Sequence, residues 1–302
     1  MYNMDSLYEA VSARGHVCVG LDTALDYIPP ALRRASSDAE AILAFNRGII
    51  DATADIAACY KVQIAYYEVL GRAGLESYAK TLSYIRRKQS LVIADIKRGD
   101  IADTALQYAR AHFEGDFEAD FVTLSPYLGM DSLEPWLTYA EHKGKGAFVL
   151  MKTSNKGMKD FQYLELNGGA TRLYHAVGDK LSALAATRLG SYGYGAFGAV
   201  VGAEQKSEKE REETAAIRER YNNLFFLIPG YGAQGGAAKD AALLLRDGNG
   251  GVVNASRSIL KAWTEKTGTE APVDAGLNNE FAAEAAREAA ITMRDAIREA
   301  FS

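Results

Sequence analysis

Short apolar runs rich in β-branched residues recur along the chain, each bounded by charge, glycine or proline. They are HVCVGLD at 16–22, AACYKVQ at 57–63, SLVIADIK at 90–97, DFVTLSP at 120–126, GAFVLMKTS at 146–154, FGAVVGA at 197–203, LFFLIPG at 224–230 and GGVVNASR at 250–257. Their cores are continuous rather than alternating, as in parallel strands covered on both faces. Between them lie stretches of helical period. Residues 38–56 space Ile42, Leu43, Phe45, Ile49 and Ile50 along one face, after Ser36, Ser37 and Asp38 as capping residues. Helices are likewise predicted over 100–113 and 131–142, opening at Asp100 and Asp131, and over 170–189, 206–221, 237–246 and 277–301. The charge-dense 206–221 segment fits a solvated outer helix. Eight strands alternating with helices predict a (β/α)8 TIM barrel, an α/β fold, with a doubly wound sheet as the competing architecture. No linker interrupts the alternation, so residues 1–302 are expected to form one barrel domain. The longest interruption, 155–169, follows the fifth strand and is expected on the active side.

Composition narrows the partners. The 302 residues hold 34 Lys and Arg against 39 Asp and Glu, a net charge of −5. This lacks the basic footprint of a nucleic-acid binder. At 48% hydrophobic and 24% charged, the chain is not disordered in bulk. No window approaches the roughly 18 apolar residues of a membrane span. Asp5 and Glu9 precede any apolar run, unlike a secretory signal. Cys18 and Cys59 sit in apolar runs without metal-site spacing, as buried thiols of a reducing compartment would, and the cytoplasm is the expected location.

A barrel gathers its function at the C-terminal ends of its strands. Asp22 ends the first run, Lys61 the second, Asp95 and Lys97 the third, Ser154 the fifth, Pro229 and Gly230 the seventh, and Arg257 the eighth. The densest cluster is ADIKRGDIADT at 94–104. Asp95 and Lys97, two apart on a strand, are expected to point the same way. They form either a simple ion pair or, with Lys61, an alternating array of charges. Two unit charges about 4 Å apart interact by about 4 kcal/mol at an effective dielectric near 20, enough to fix ionisation states. Asp100 would then cap the next helix, or be a further carboxylate of that array.

The second informative stretch is PGYGAQGGAAKDA at 229–241, a Gly-rich turn from strand to helix. Its glycines let backbone N–H groups approach an anion, and Arg257 can add a bidentate contact, which together predict a phosphate site. The four histidines are His16, His112, His142 and His175. His16 lies at the wrong end of its strand and the others fall on helices, so no acid–base histidine is expected. No His/Asp/Glu cluster has evident metal spacing, and neither a GxGxxG after a strand nor a Walker-type lysine occurs.

These residues together resemble the orotidine 5′-phosphate decarboxylase family in its longer bacterial form. The motif is D-x-K-x-x-D at Asp95, Lys97 and Asp100, continued by Ile101 and Thr104. With it come LDT at 21–23, Lys61, TSN at 153–155, PGYGAQGG at 229–236 and SRS at 256–258. Lys156 departs from the proline that many relatives place after the asparagine.

The resemblance implies a carboxy-lyase that converts orotidine 5′-monophosphate into uridine 5′-monophosphate and carbon dioxide, the last step of de novo UMP synthesis, without metal or cofactor. It implies that Asp22 holds a ribose hydroxyl, that Lys61 bridges ribose and Asp95, and that Lys97 donates the proton to C6. Ser154 would bond the pyrimidine. Pro229, Gln234, Gly235 and Arg257 would surround the 5′-phosphate, with Gln234 and Arg257 gripping it. Asp100, Ile101 and Thr104 would enter the site of a second subunit, making a homodimer with shared active sites. The alternative is a sister barrel, a 3-keto-gulonate-phosphate decarboxylase or hexulose-phosphate synthase. Those enzymes place a metal-binding Glu where Lys61 stands. A non-enzymatic nucleotide-binding barrel would need only the phosphate grip and would have no use for Lys97 beside Asp95.

Overall fold

Every strand of the barrel is buried on both faces, and so each of the eight runs reads as nearly uninterrupted apolar sequence. In the computed structural model, which describes residues 2–203, 207–232, 238–266 and 274–301, the strands are β1 (Val17–Leu21), β2 (Cys59–Gln63), β3 (Leu91–Arg98), β4 (Phe121–Leu124), β5 (Gly146–Lys152), β6 (Phe197–Val201), β7 (Phe226–Ile228) and β8 (Gly251–Ala255). All pair in parallel and in order, and β8 returns to β1 to close the barrel. The TIM-barrel expectation holds.

The strand period of two sorts the interior into layers. A lower layer carries Cys18, Cys59, Ile93, Phe121 and Phe148, all buried. Two residues further along the same strands stand Gly20, Lys61, Asp95, Thr123 and Leu150. The chemistry is thus stacked on an apolar plug. Helix α1 (Asn3–Arg14) seats Met4, Leu7 and Val11 against that plug at the opposite end. Cys18 and Cys59 are neighbours in register, buried and free.

Outside lie α2 (Asp38–Thr53), α3 (Gly71–Arg87), α4 (Ala102–Phe113), α5 (Glu134–Lys143), α6 (Leu173–Ala186), α7 (Glu208–Arg220), α8 (Ala238–Ala242) and α9 (Ala275–Glu299). Helix α2 starts with a capping box, Ser37 and Glu40 each bonding the other's backbone N–H. The charged α7 is capped by Ser207 and mostly exposed, as its sequence predicts. Four helices begin two or three residues later than predicted, α4 at Ala102, α5 at Glu134, α6 at Leu173 and α7 at Glu208. At Asp131 a 3₁₀ turn (Met130–Leu133) intervenes before α5. Asp100 does not cap α4: its Oδ1 accepts from the Ile101 N–H at 2.9 Å, Ile101 is the N-cap, and Ala102 starts the helix with φ of +48°. The interruption after β5 is built rather than irregular, with one helical turn (Met158–Phe161) and a hairpin pairing Glu165–Leu166 with Thr171–Arg172. Among the described residues no helix is long and apolar enough to cross a membrane.

Candidate active site

Four of the predicted residues meet in one row across β1, β2 and β3. Lys61 Nζ lies 2.7 Å from Asp22 Oδ1 and 2.9 Å from Asp95 Oδ2, and Lys97 Nζ lies 2.6 Å from Asp95 Oδ1. The side chains of Lys61 and Asp95 are 6% and 7% exposed, whereas that of Lys97 is 47% exposed, so the row runs from the barrel interior out to its mouth. Lys61 does not end its strand as the sequence reading had it. It is the third of five residues in β2, with its ammonium on the inner face.

Burial alone would strip the proton from Lys61, but the carboxylates of Asp22 and Asp95 outweigh it and hold the ammonium well above the usual lysine range. Burial likewise opposes ionisation of Asp95. Lys61 and Lys97 reverse that, and its carboxyl stays well below the usual range.

Lys97 reaches Asp95 by a route the strand period does not give. Between Ala94 and Arg98 the register of β3 against β4 shifts, and Lys97 adopts φ of +45°. A lysine in the left-handed region costs roughly 1–3 kcal/mol and persists only where surroundings enforce it. Thr123 on β4 does the enforcing. Its Oγ1 accepts from the N–H groups of Ile96 and Lys97, both at 3.0 Å, and donates to Asp95 Oδ1 at 2.8 Å. Gln63 donates to Asp95 Oδ2 at 2.9 Å. Sequence reasoning missed Thr123 and Gln63 because they carry no charge. The layer rule finds Thr123, two residues past Phe121.

Two adjoining cavities open above the row. One, of about 230 Å³, is lined by Lys61, Asp95, Lys97, Thr123, Thr153 and Asn155 over an apolar wall of Leu150, Val200 and Leu227. The other, of about 290 Å³, holds Asp22, Tyr27, Tyr66, Tyr231, Ser256 and Arg257. Ser154, Pro229 and Asn254 line both. One chamber offers an apolar slot with an ammonium, and its neighbour a guanidinium and hydroxyls. Gly20 keeps the boundary open, since a methyl there would lie 2.0 Å from Ser256 Oγ and 2.8 Å from Asn254 Oδ1. Asn254, Tyr27 and Tyr66 are further lining residues that no motif announced.

The remaining predicted residues stand apart. Asp100, Ile101 and Thr104 line neither cavity, and Ile101 and Thr104 are exposed. Gln234 and Gly235 lie outside the described residues. His16 precedes β1, and His112, His142 and His175 lie on α4, α5 and α6, none of them lining either cavity. Among the described residues no group of three His, Cys, Asp or Glu is arranged to hold a metal ion.

The chain is similar to known proteins over nearly its whole length. The orotidine 5′-phosphate decarboxylase of Clostridium perfringens (strain 13 / Type A) is 54% identical over 297 residues, 98% of each chain. That of Clostridium kluyveri is 55% identical over 264 residues, covering 87% of this chain and 89% of its own. The solved structure of Leishmania donovani OMP decarboxylase superposes with a TM-score of 0.72 at 32% identity, covering 98% of this chain and 100% of that one. A family model for orotidine 5′-phosphate decarboxylase / HUMPS matches residues 15–271, and the chain belongs to that family.

Proposed function

We propose that this protein is a carboxy-lyase that decarboxylates orotidine 5′-monophosphate to uridine 5′-monophosphate and carbon dioxide, closing de novo UMP synthesis. The carrying observation is the row Asp22–Lys61–Asp95–Lys97, with its free end at the apolar chamber. The pyrimidine enters that chamber, with Ser154 beside it, and the phosphate lies in the adjoining one at Arg257. Pro229 sits where the two meet. Gln234 and Gly235 complete the phosphate grip as the family resemblance assigns them.

The chemistry follows from the charges. Breaking the bond from C6 to the carboxylate releases carbon dioxide and leaves the electron pair at C6. The Lys97 ammonium stabilises that charge and then delivers its proton there. Lys97 is open enough to regain a proton from water. Asp95 stays ionised and holds the Lys97 ammonium in place, and Lys61 spends two of its three protons on Asp22 and Asp95, leaving one for a ribose hydroxyl. Contacts to the distant phosphate orient the base, using binding energy away from the reacting atom.

The same row argues against the sister-barrel alternative. The ammonium of Lys61 fills the space between two carboxylates that a divalent cation would need. We expect orotidine 5′-monophosphate to lose its characteristic ultraviolet absorbance when the protein is added, at the same rate after exhaustive chelation. Activity lost on chelation and restored by Mg²⁺ would favour the sister enzymes.

Asp100, Ile101 and Thr104 are assigned to the site of a second copy, in a homodimer with shared active sites. Exposed apolar residues support this: Val69 follows β2, Ile101 and Leu106 follow β3, and Tyr127 and Leu128 follow β4, all at the mouth of neighbouring strands. Tyr127 is 83% exposed, an unusual state for so large a ring in a lone subunit. The chain is taken as one barrel domain over 1–302, acting in the cytoplasm on a small molecule, with no role for nucleic acid or membrane.

A further inference from the structure

A hydrogen-bond chain with a fixed direction runs from the insertion after β5 into the apolar chamber. The Thr153 N–H donates to Gln162 Oε1 at 2.8 Å. A backbone amide can only donate, so this contact fixes which end of the Gln162 amide is which. Gln162 Nε2 in turn donates to Thr153 Oγ1 at 2.8 Å. The Thr153 hydroxyl therefore sends its own proton onward, to Asn155 Oδ1 at 2.6 Å. With Oδ1 taken, the Asn155 amide has its Nδ2 donor end left for another partner.

The insertion is anchored from behind. The Gln162 carbonyl accepts from the Tyr174 N–H at 3.1 Å, and Tyr163, Arg172 and Tyr174 all bond Glu213 on α7. Asn155 lines the chamber of Lys61, Asp95 and Lys97 and does not line that of Arg257. Its donor end thus belongs with whatever occupies the apolar slot.

We propose that Gln162 is a positioning residue: through Thr153 it orients Asn155 so that the amide donates to a carbonyl acceptor of the pyrimidine. This rests on the assignment above of the base to that chamber. None of the three touches the reacting bond, so the effect falls on recognition of the base.

The test measures calorimetric affinities of the full-length protein for uridine 5′-monophosphate and for ribose 5-phosphate, which lacks the base. Gln162→Leu is expected to weaken the nucleotide about tenfold and the sugar phosphate less than twofold. In an Asn155→Ala background the same change should alter nucleotide affinity less than twofold. Gln162→Glu keeps the acceptor for the Thr153 N–H and loses only the donor, so it should repeat the selective loss even if the leucine variant does not fold. Equal weakening of both probes, or a tenfold loss that persists without Asn155, would overturn the proposal. A wild type that binds both probes but leaves orotidine 5′-monophosphate unchanged would instead remove the decarboxylase assignment, with the affinity ratios still judging Gln162.

Discussion

Asp95 receives donors from Lys61, Gln63, Lys97 and Thr123 on its two oxygens, which fills the roughly four lone-pair sites of a carboxylate. It has no capacity left for base chemistry, and its work is to hold Lys61 and Lys97 charged and in place. Arg257 stands at the other end of the site, exposed in the larger cavity. Arg257→Ala should raise KM for orotidine 5′-monophosphate by at least tenfold, since a charge-assisted contact is lost. Turnover of orotidine, which has no phosphate, should suffer far less. Steady-state kinetics on both substrates checks this, and equal damage to each would mean that Arg257 does not meet the phosphate. Asp22, Lys61, Asp95 and Lys97 were legible in the sequence because a charge inside an apolar strand is conspicuous. Gln63, Thr123 and Asn254 were not, since an uncharged polar residue at a strand end carries no such signal until the layers of the barrel are known.

At the scale of elements, all eight strands lie where the apolar runs put them, and the misses have physical causes. Helix α3 was not foreseen: its buried face keeps the helical period, but Gly74, Ser77 and Thr81 share it with Tyr78, Leu82 and Ile85, so the segment is polar on average and no apolar run marks it. Helix α1 was missed for a similar reason, with Asp5 among its buried residues. The junctions also set the response to acid. Burial, against the Gly248 carbonyl and aided by Arg298, pulls His16 down to about 4, and burial with Arg98 does the same for His112. Unfolded histidines take up a proton near 6.5, so between 6.5 and 4 the unfolded chain binds protons that the folded one refuses. Stability is therefore full above 6.5 and falls as pH drops towards 4, by up to about 1.4 kcal/mol per pH unit for each histidine. Urea midpoints across this range should show the slope, and it should flatten in His16→Gln and His112→Gln. An unchanged slope in both variants would assign the acid sensitivity elsewhere.

For the whole molecule, the apolar plug below and the charged row above make a barrel with one working mouth, and the exposed residues after β2, β3 and β4 surround part of it. If each mouth is completed by a second copy, Lys97→Ala and Asp100→Ala should each be nearly inactive as pure dimers. Mixed and allowed to exchange, about half the dimers are heterodimers, each with one intact site, so activity should recover to roughly one quarter of wild type. Mass spectrometry establishes the exchange, and mixed dimers that remain inactive would place Asp100 in its own subunit's site. The alternation of strand and helix made the barrel legible, whereas the arrangement of subunits depends on surfaces whose partner no single chain displays. The most direct measurement concerns Lys97 itself: turnover of orotidine 5′-monophosphate in D₂O by wild type and by Lys97→Ala, with binding of uridine 5′-monophosphate measured in parallel. The wild type should yield product carrying one deuterium at C6, and Lys97→Ala should lose at least about a hundredfold in kcat while still binding the nucleotide. A Lys97→Ala enzyme that decarboxylates at close to the wild-type rate would contradict the account.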